Sequence, residues 1–480
     1  MLSIRWTATA MAAALAAYGS ALLVERLAGL HVDAVILAVA LTMTTARIQR
    51  SAARPDRLAG LVVLPAAALA AAGISTVMSA HPDAGDALFV AGMAVSIWLR
   101  RFGQHATRAG TLLVAPLVAL LIMPPPGTLW VALIAFISWF WVTVFQLLVP
   151  APAAPGPAAA SPARRRIPAS TRMALQLAAA LAAAFVVGRT LWPDHWTWTV
   201  LTAFIVCSGA RSRGDVVLKG LLRGAGAAAG TVVATAIAGA FGPRADGAVV
   251  VIFVVLAIAT WLREFSYAWW AACVTAVLSL LYGWFGQAPG GLLDTRLEGI
   301  AVGAALGIAA SWLILPVRTS DVAKRRSADA LAALGDVLSA DWRDPAALRR
   351  DQAAFARAVA ALAQIAPALR MRRRLLSRLR PGRPELADAI DAITRSARPV
   401  RVLVSAATGD LTVGADPCVA RVSGAVAANV VAARRAVGRR PGAAYRPAAG
   451  TECPEDAGVI LGALADIDGA LAAVCAAFTA

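Results

Sequence analysis

The chain has 480 residues, 59% of them hydrophobic and only 15% charged, with a mean hydropathy of +0.70. A soluble domain carries about 25% charged residues, so this composition excludes an ordinary soluble protein and points to lipid as the solvent. The net charge of +18 is almost all arginine, with Lys219 and Lys324 the only lysines; spread between apolar segments, it speaks for membrane orientation and against nucleic acid.

A membrane span needs about 20 apolar residues, fewer where neighbours bury its ends. In chain order, such runs predict helices near 6–24, 32–46, 58–80, 86–99, 109–123 and 128–149. A second series follows near 172–191, 196–210, 218–241, 247–262, 267–285 and 297–315. The runs 32–46 and 86–99 are short enough to be buried or re-entrant segments instead. Residues 1–24 also admit a signal-peptide reading, with Arg5 as its basic end. Pro65 and Pro116 fall inside first-half spans, where they kink helices and free carbonyls.

Loop charge tests this count. With the N-terminus inside, the inner loops carry Arg47, Arg50, Arg54 and Arg57, then Arg100, Arg101 and Arg108. The later inner loops carry Arg164, Arg165, Arg166 and Arg172, then Arg211, Arg213, Lys219 and Arg223, and finally Arg263. The outer loops hold Arg26, Arg189, Arg244 and Arg296, mostly beside acids. Positive residues gather on alternate loops, as the positive-inside rule requires, and this puts both termini in the cytoplasm.

The two series resemble each other. SIWLRRF (Ser96–Phe102) recurs as ATWLREF (Ala259–Phe265). At nearly the same offset His31 matches His195, Arg47 matches Arg211 and Gly60 matches Gly224. ISWF (Ile137–Phe140) echoes ASWLI (Ala310–Ile314). An even number of spans per half makes the copies parallel, related by a twofold along the membrane normal. The expected architecture is all-α: about twelve transmembrane helices as two parallel six-helix repeats, then a C-terminal cytoplasmic helical domain. The expected boundaries are 1–149 for the first repeat, 150–171 for a Pro/Ala/Arg linker, 172–318 for the second repeat and 319–480 for the tail.

The second half contains WPDHWTWTVLTAFIVCSGARSRGDVVLKGLLRGAGAAAGTVVAT (Trp192–Thr235) and later LLDTRLEGIAVGAALGIAASWLILPVR (Leu292–Arg318). An aromatic-rich start to a Thr-containing span, a basic loop, and an Arg-Gly-Thr helix follow in order. This resembles the fusaric-acid-resistance, or aromatic acid exporter, family, although Arg223 and the Gly230–Thr231 pair stand further apart than in the family's RxxGT. The resemblance covers about 172–318, with the first half a degenerate copy. It implies export of small organic, often aromatic, acids across a bacterial inner membrane, with a periplasmic adaptor protein as partner. Plant malate channels are distantly similar, which keeps passive anion conduction open.

An anionic substrate needs fixed positive charge near its path, and Arg grips carboxylates with two parallel hydrogen bonds. The candidates are Arg211, Arg213 and Arg223 around the basic loop, with Arg100 and Arg263 as a repeat-related pair. Arginines at cytoplasmic helix ends also serve orientation alone. Glu298, just inside an apolar run, and His195, at the outer start of a span, are the proton-coupling candidates. Arg296 neighbours Glu298 in sequence and would neutralise it. Gly220, Gly224, Gly226 and Gly230, and then Gly299, Gly303 and Gly307, have the small-xxx-small spacing of close helix packing.

No phosphate loop, HExxH or Ser/His/acid set occurs, so no enzyme, cofactor or metal is expected. The five cysteines show no ligand spacing, and a disulfide framework is not expected. Residues 319–480 read as amphipathic helices broken at Pro381–Gly382, Gly409–Asp410 and Pro441–Gly442. Within them LRMRRRLLSRLR (Leu369–Arg380) suits anionic lipid or a solvated helix face. The expected partners are the lipid bilayer, a small organic acid and the adaptor, with homo-oligomer formation open and no nucleic acid. Beside the exporter stand two rivals, an anion channel and a non-transporting membrane scaffold whose tail recruits partners.

Overall fold

Long Ala-, Leu- and Val-rich runs in lipid can satisfy their backbone N–H and C=O groups only by coiling into helices. The computed structural model describes residues 2–50, 54–121, 127–148, 168–238, 243–286, 292–376, 385–409, 416–438, 444–448 and 458–479, and these are helical apart from short connections. The expected linker lies outside the described residues except for 168–171, where the next helix begins.

Each expected apolar run is a helix. The first half forms α1 (Leu2–Ala28), α2 (Asp33–Gln49), α3 (Arg54–Ala80), α4 (Pro82–Trp98), α5 (Gln104–Leu120) and α6 (Thr128–Leu148). The second half forms α7 (Ala169–Leu191), α8 (Thr197–Cys207), α9 (Arg213–Ala238), α10 (Asp246–Leu262), α11 (Tyr267–Trp284) and α12 (Leu292–Leu313). Among the described residues eight helices of the chain are long and apolar enough to cross a membrane, and α1, α3, α6, α7, α9, α11 and α12 are seven of them. The protein is therefore a multi-pass membrane protein. At 1.5 Å per residue α8 is only about 16 Å long, too short to cross alone, and nearly all of its side chains are buried. Pro65 and Pro116 lie inside α3 and α5 as expected.

The chain divides into two compact units, Met1–Ala210 with Lys219–Pro316, and Arg211–Leu218 with Val317–Ala480. Within the first unit α1, α2 and α6 pack mutually, and so do α7, α8 and α12. Side chains also bond to the backbone of the packed neighbour. Ser138 and Gln146 on α6 donate to the carbonyls of Ala38 (3.2 Å) and Ala46 (2.9 Å) on α2, while the Cys207 thiol at the end of α8 donates to Gly307 on α12 (3.6 Å). The halves meet through α4 against α7 and α1 against α10. Each junction has an edge-on aromatic pair, Phe89–Phe185 at 5.5 Å and Tyr18–Phe253 at 5.2 Å.

The second unit holds α13 (Thr319–Ser339), α14 (Pro345–Ala363), α15 (Ala366–Leu376), α16 (Leu386–Arg395), α17 (Ala397–Gly409), α18 (Pro417–Val437) and α19 (Gly458–Thr479). The three expected breaks fall at or next to residues outside the described set. α19 is apolar enough to span a membrane, but that apolarity goes into the unit's own core, where Ile460, Leu464, Ile467, Leu471 and Val474 are buried. A helix enclosed by neighbours is apolar all round for the same reason a span is. Asp468 in its middle accepts hydrogen bonds from Asn429 (2.7 Å), Tyr445 (2.8 Å) and the Ala448 amide (2.9 Å). In the basic stretch, Arg370 pairs with Asp391, and Arg373 with Asp388 and Asp391, on α16. Part of that positive face is thus neutralised within the unit. Contrary to expectation, Cys418 is disulfide-bonded, whereas Cys207, Cys273 and Cys475 are not in disulfides. Chain spacing says nothing about which thiols folding brings together.

Candidate functional site

α11 carries one polar stripe on an apolar body. Tyr267, Thr275 and Ser279, with Ala271 between, fall at four-residue steps and therefore on one face. α9 packs closely along this helix because its contact positions are glycine: a Cβ at Gly226 would strike the Ala268 carbonyl, and one at Gly230 the Ala272 carbonyl. α8 and α12 approach in the same way, with Gly299, Gly303 and Gly307 against Trp198, Thr199 and Cys207. Gly220 meets Ile308 of α12, but a Cβ at Gly224 would meet nothing. Gly224 thus differs from the other six.

Two arginines point into the interior between these helices. Arg223 on α9 and Arg296 on α12 are each 1% exposed. The Arg296 guanidinium lies over the indole of Trp198, 4.7 Å from the ring centre. Its Nη1 makes only long contacts to the Thr275 carbonyl (3.4 Å) and the Ser279 hydroxyl (3.5 Å), and its Nε and Nη2 have no hydrogen-bond partner in the protein. The Nε of Arg223 is likewise unpartnered, and its charge acts on Arg296 and on the Tyr267 hydroxyl. Among the described residues neither arginine makes an ion pair. A buried, unpaired charge costs several kcal/mol, and within a membrane it marks a functional site by default.

The cation row continues toward the start of α11. Arg263, just past α10, lies over the Trp270 indole at 4.2 Å and interacts electrostatically with Arg47 of α2 and with Tyr267. Arg47 is exposed, Arg263 and Tyr267 are half-buried, and Arg223 and Arg296 are buried. From Tyr267 to Thr275 is eight residues, about 12 Å along the helix.

The structure separates the remaining candidates. Arg211 and Arg213 belong to the second unit, where the Arg211 amide donates to Asp215 (3.0 Å) and the Arg213 amide to the Val317 carbonyl (3.1 Å). Arg223 lies in the first unit, on α9. Arg100 sits half-buried in the 3-10 turn Leu99–Phe102. Glu298 is exposed and makes no ion pair with Arg296; residues two apart on a helix point to different sides. His195 is half-buried in the turn between α7 and α8, its backbone carbonyl accepting from Trp198. Sequence reading placed Arg296 as a mere neutraliser and passed over Arg47, Tyr267, Thr275 and Ser279. The four-residue stripe on α11 was the available signal.

These features define a class, the multi-pass helical membrane protein with cationic side chains turned inward. Residues 177–310 match the family described as fusaric acid resistance protein-like. That stretch contains Trp198, Arg223, Arg263, the α11 stripe and Arg296. The family is one of membrane transporters. No curated protein matches the chain closely enough to count as a relative.

Proposed function

We propose that this protein exports small organic acids, aromatic ones among them, across a bacterial inner membrane as a secondary transporter. The observation that carries the reading is Arg296: buried, over an indole, with two nitrogens unpartnered and a second buried arginine beside it. A carboxylate supplies the missing charge and accepts two parallel hydrogen bonds from one guanidinium. In this reading the path runs between α8, α9, α11 and α12. The twelve helices form two parallel repeats, with α8 a half-span and both termini cytoplasmic, which the basic inner loops support.

The test is uptake or efflux of benzoate by the purified protein in proteoliposomes. Arg296→Gln and Arg223→Gln should each lower transport at least about tenfold, the worth of one charge-assisted hydrogen bond. Arg101→Gln, on the exposed 3-10 turn, should leave it unchanged. Equal rates in all variants would discard the site.

A passive anion channel is the second reading, favoured by Glu298. That carboxylate is exposed on α12 rather than turned toward the arginine row, so the row's electrostatic neighbours are other arginines and tyrosines. Accumulation of benzoate against its gradient, abolished by a proton uncoupler, supports the pump; movement only down the gradient supports the channel.

A further inference from the structure

The family match begins at residue 177, yet the exposed end of the arginine row includes a residue of the first half. Arg47 stands on α2, three residues before Arg50, whose guanidinium pairs with Glu264, the residue next to Arg263, at 2.8 Å, and its charge acts on Arg263 and on the Tyr267 hydroxyl. Exposure falls in order along the row, from Arg47 through Arg263 to the buried Arg223 and Arg296. Two of these guanidinia are seated alike: Arg263 on Trp270 at 4.2 Å and Arg296 on Trp198 at 4.7 Å. An indole face holds a guanidinium flat without using its N–H donors, which stay free for a carboxylate.

We propose that Arg47 and Arg263, with Trp270 and the Tyr267 hydroxyl, form a second carboxylate-binding station ahead of the buried one, so that both halves of the membrane unit build the mouth of the path. The inference rests on the buried site described above and extends it. The mouth station gathers anions from water. The buried station, about eight residues further along α11 and so about 12 Å away, receives them one at a time. Two sites in series let each be strong enough to capture and weak enough to release. Arg50, at the end of α2, is not part of the station, because it is paired with Glu264 at 2.8 Å.

The experiment uses the full chain, with benzoate as probe. Tryptophan fluorescence of purified protein titrated with benzoate should show two phases. Arg263→Gln and Arg47→Gln should remove the phase assigned to the mouth, and Arg296→Gln the other. In proteoliposomes the two mouth variants should raise the half-saturating benzoate concentration about tenfold while maximal rate is kept. Arg263→Lys should recover part of the loss, and Arg50→Gln should match the wild type. A single phase in the wild type, or mouth variants that titrate like Arg50→Gln, overturns the proposal. So does a first phase that is lost when anionic lipid is added to zwitterionic vesicles, since a lipid headgroup would then be the occupant. The titration keeps this outcome separate from the transport reading: two phases stand even if the wild type moves no benzoate.

Discussion

Asp86 and Arg189 join α4 to α7 by two parallel hydrogen bonds of 2.7 Å each, and the guanidinium also covers the Trp196 ring at 4.3 Å. Removing one partner leaves the other half-buried and unpaired. Asp86→Asn should therefore cost about 2 kcal/mol, read as a lowered melting temperature in detergent. The double variant Asp86→Asn/Arg189→Met should lose less, because no charge is then stranded. In the second unit, burial and the hydrogen bond to Asp468 push the Tyr445 hydroxyl up to about 12. An unperturbed tyrosine titrates near about 10. The folded value is the higher one, so the contribution is complete below about pH 10 and is lost as pH rises through the folded value. Tyr445→Phe should flatten that alkaline loss, measured by the pH dependence of unfolding. None of these partners was legible in the sequence: Asp86 and Arg189 lie 103 positions apart, and nothing in composition pairs them.

Helices were the legible part. Every apolar run became one, because lipid and core alike leave the backbone no other way to satisfy itself. Which faces meet was only partly legible. Small-residue spacing marked the contacts of α9 with α11 and of α8 with α12, but it could not single out Gly224 as the position facing open space. Gly303→Leu should abolish folded protein, since even a Cβ there strikes the Thr199 carbonyl; Gly224→Ala should be tolerated, with normal yield and an unchanged gel-filtration profile. Length and hydropathy alone do not tell α19 from a span. Both kinds of helix are apolar all round, and only packing against α16, α17 and α18 separates them.

Across the whole molecule, the tail unit carries a test of its own placement. Cys418 is disulfide-bonded while three described cysteines are not in disulfides, and the sequence has five cysteines in all. Disulfides persist in oxidising compartments and are rare in reducing ones. If the tail faces the cytoplasm, as the loop charges propose, alkylation of freshly lysed cells without reductant should count five reactive thiols after unfolding. A count of three would place the tail outside. On the proposed reading the first half, a degenerate copy in sequence, also takes part in the path, since Arg47 of α2 acts electrostatically on Arg263 and Tyr267.

The sequence by itself determined the solvent, the helices and the excess of arginine, because these depend on composition and on periodicity within one segment. Only the tertiary structure decided which arginines are buried. Arg296 and Glu298 are neighbours in sequence, and either could have been the buried group. The meeting of α12 with α8 and α11 turned Arg296 inward onto Trp198 and left Glu298 outside. Burial is a property of facing surfaces, and no single helix carries that information.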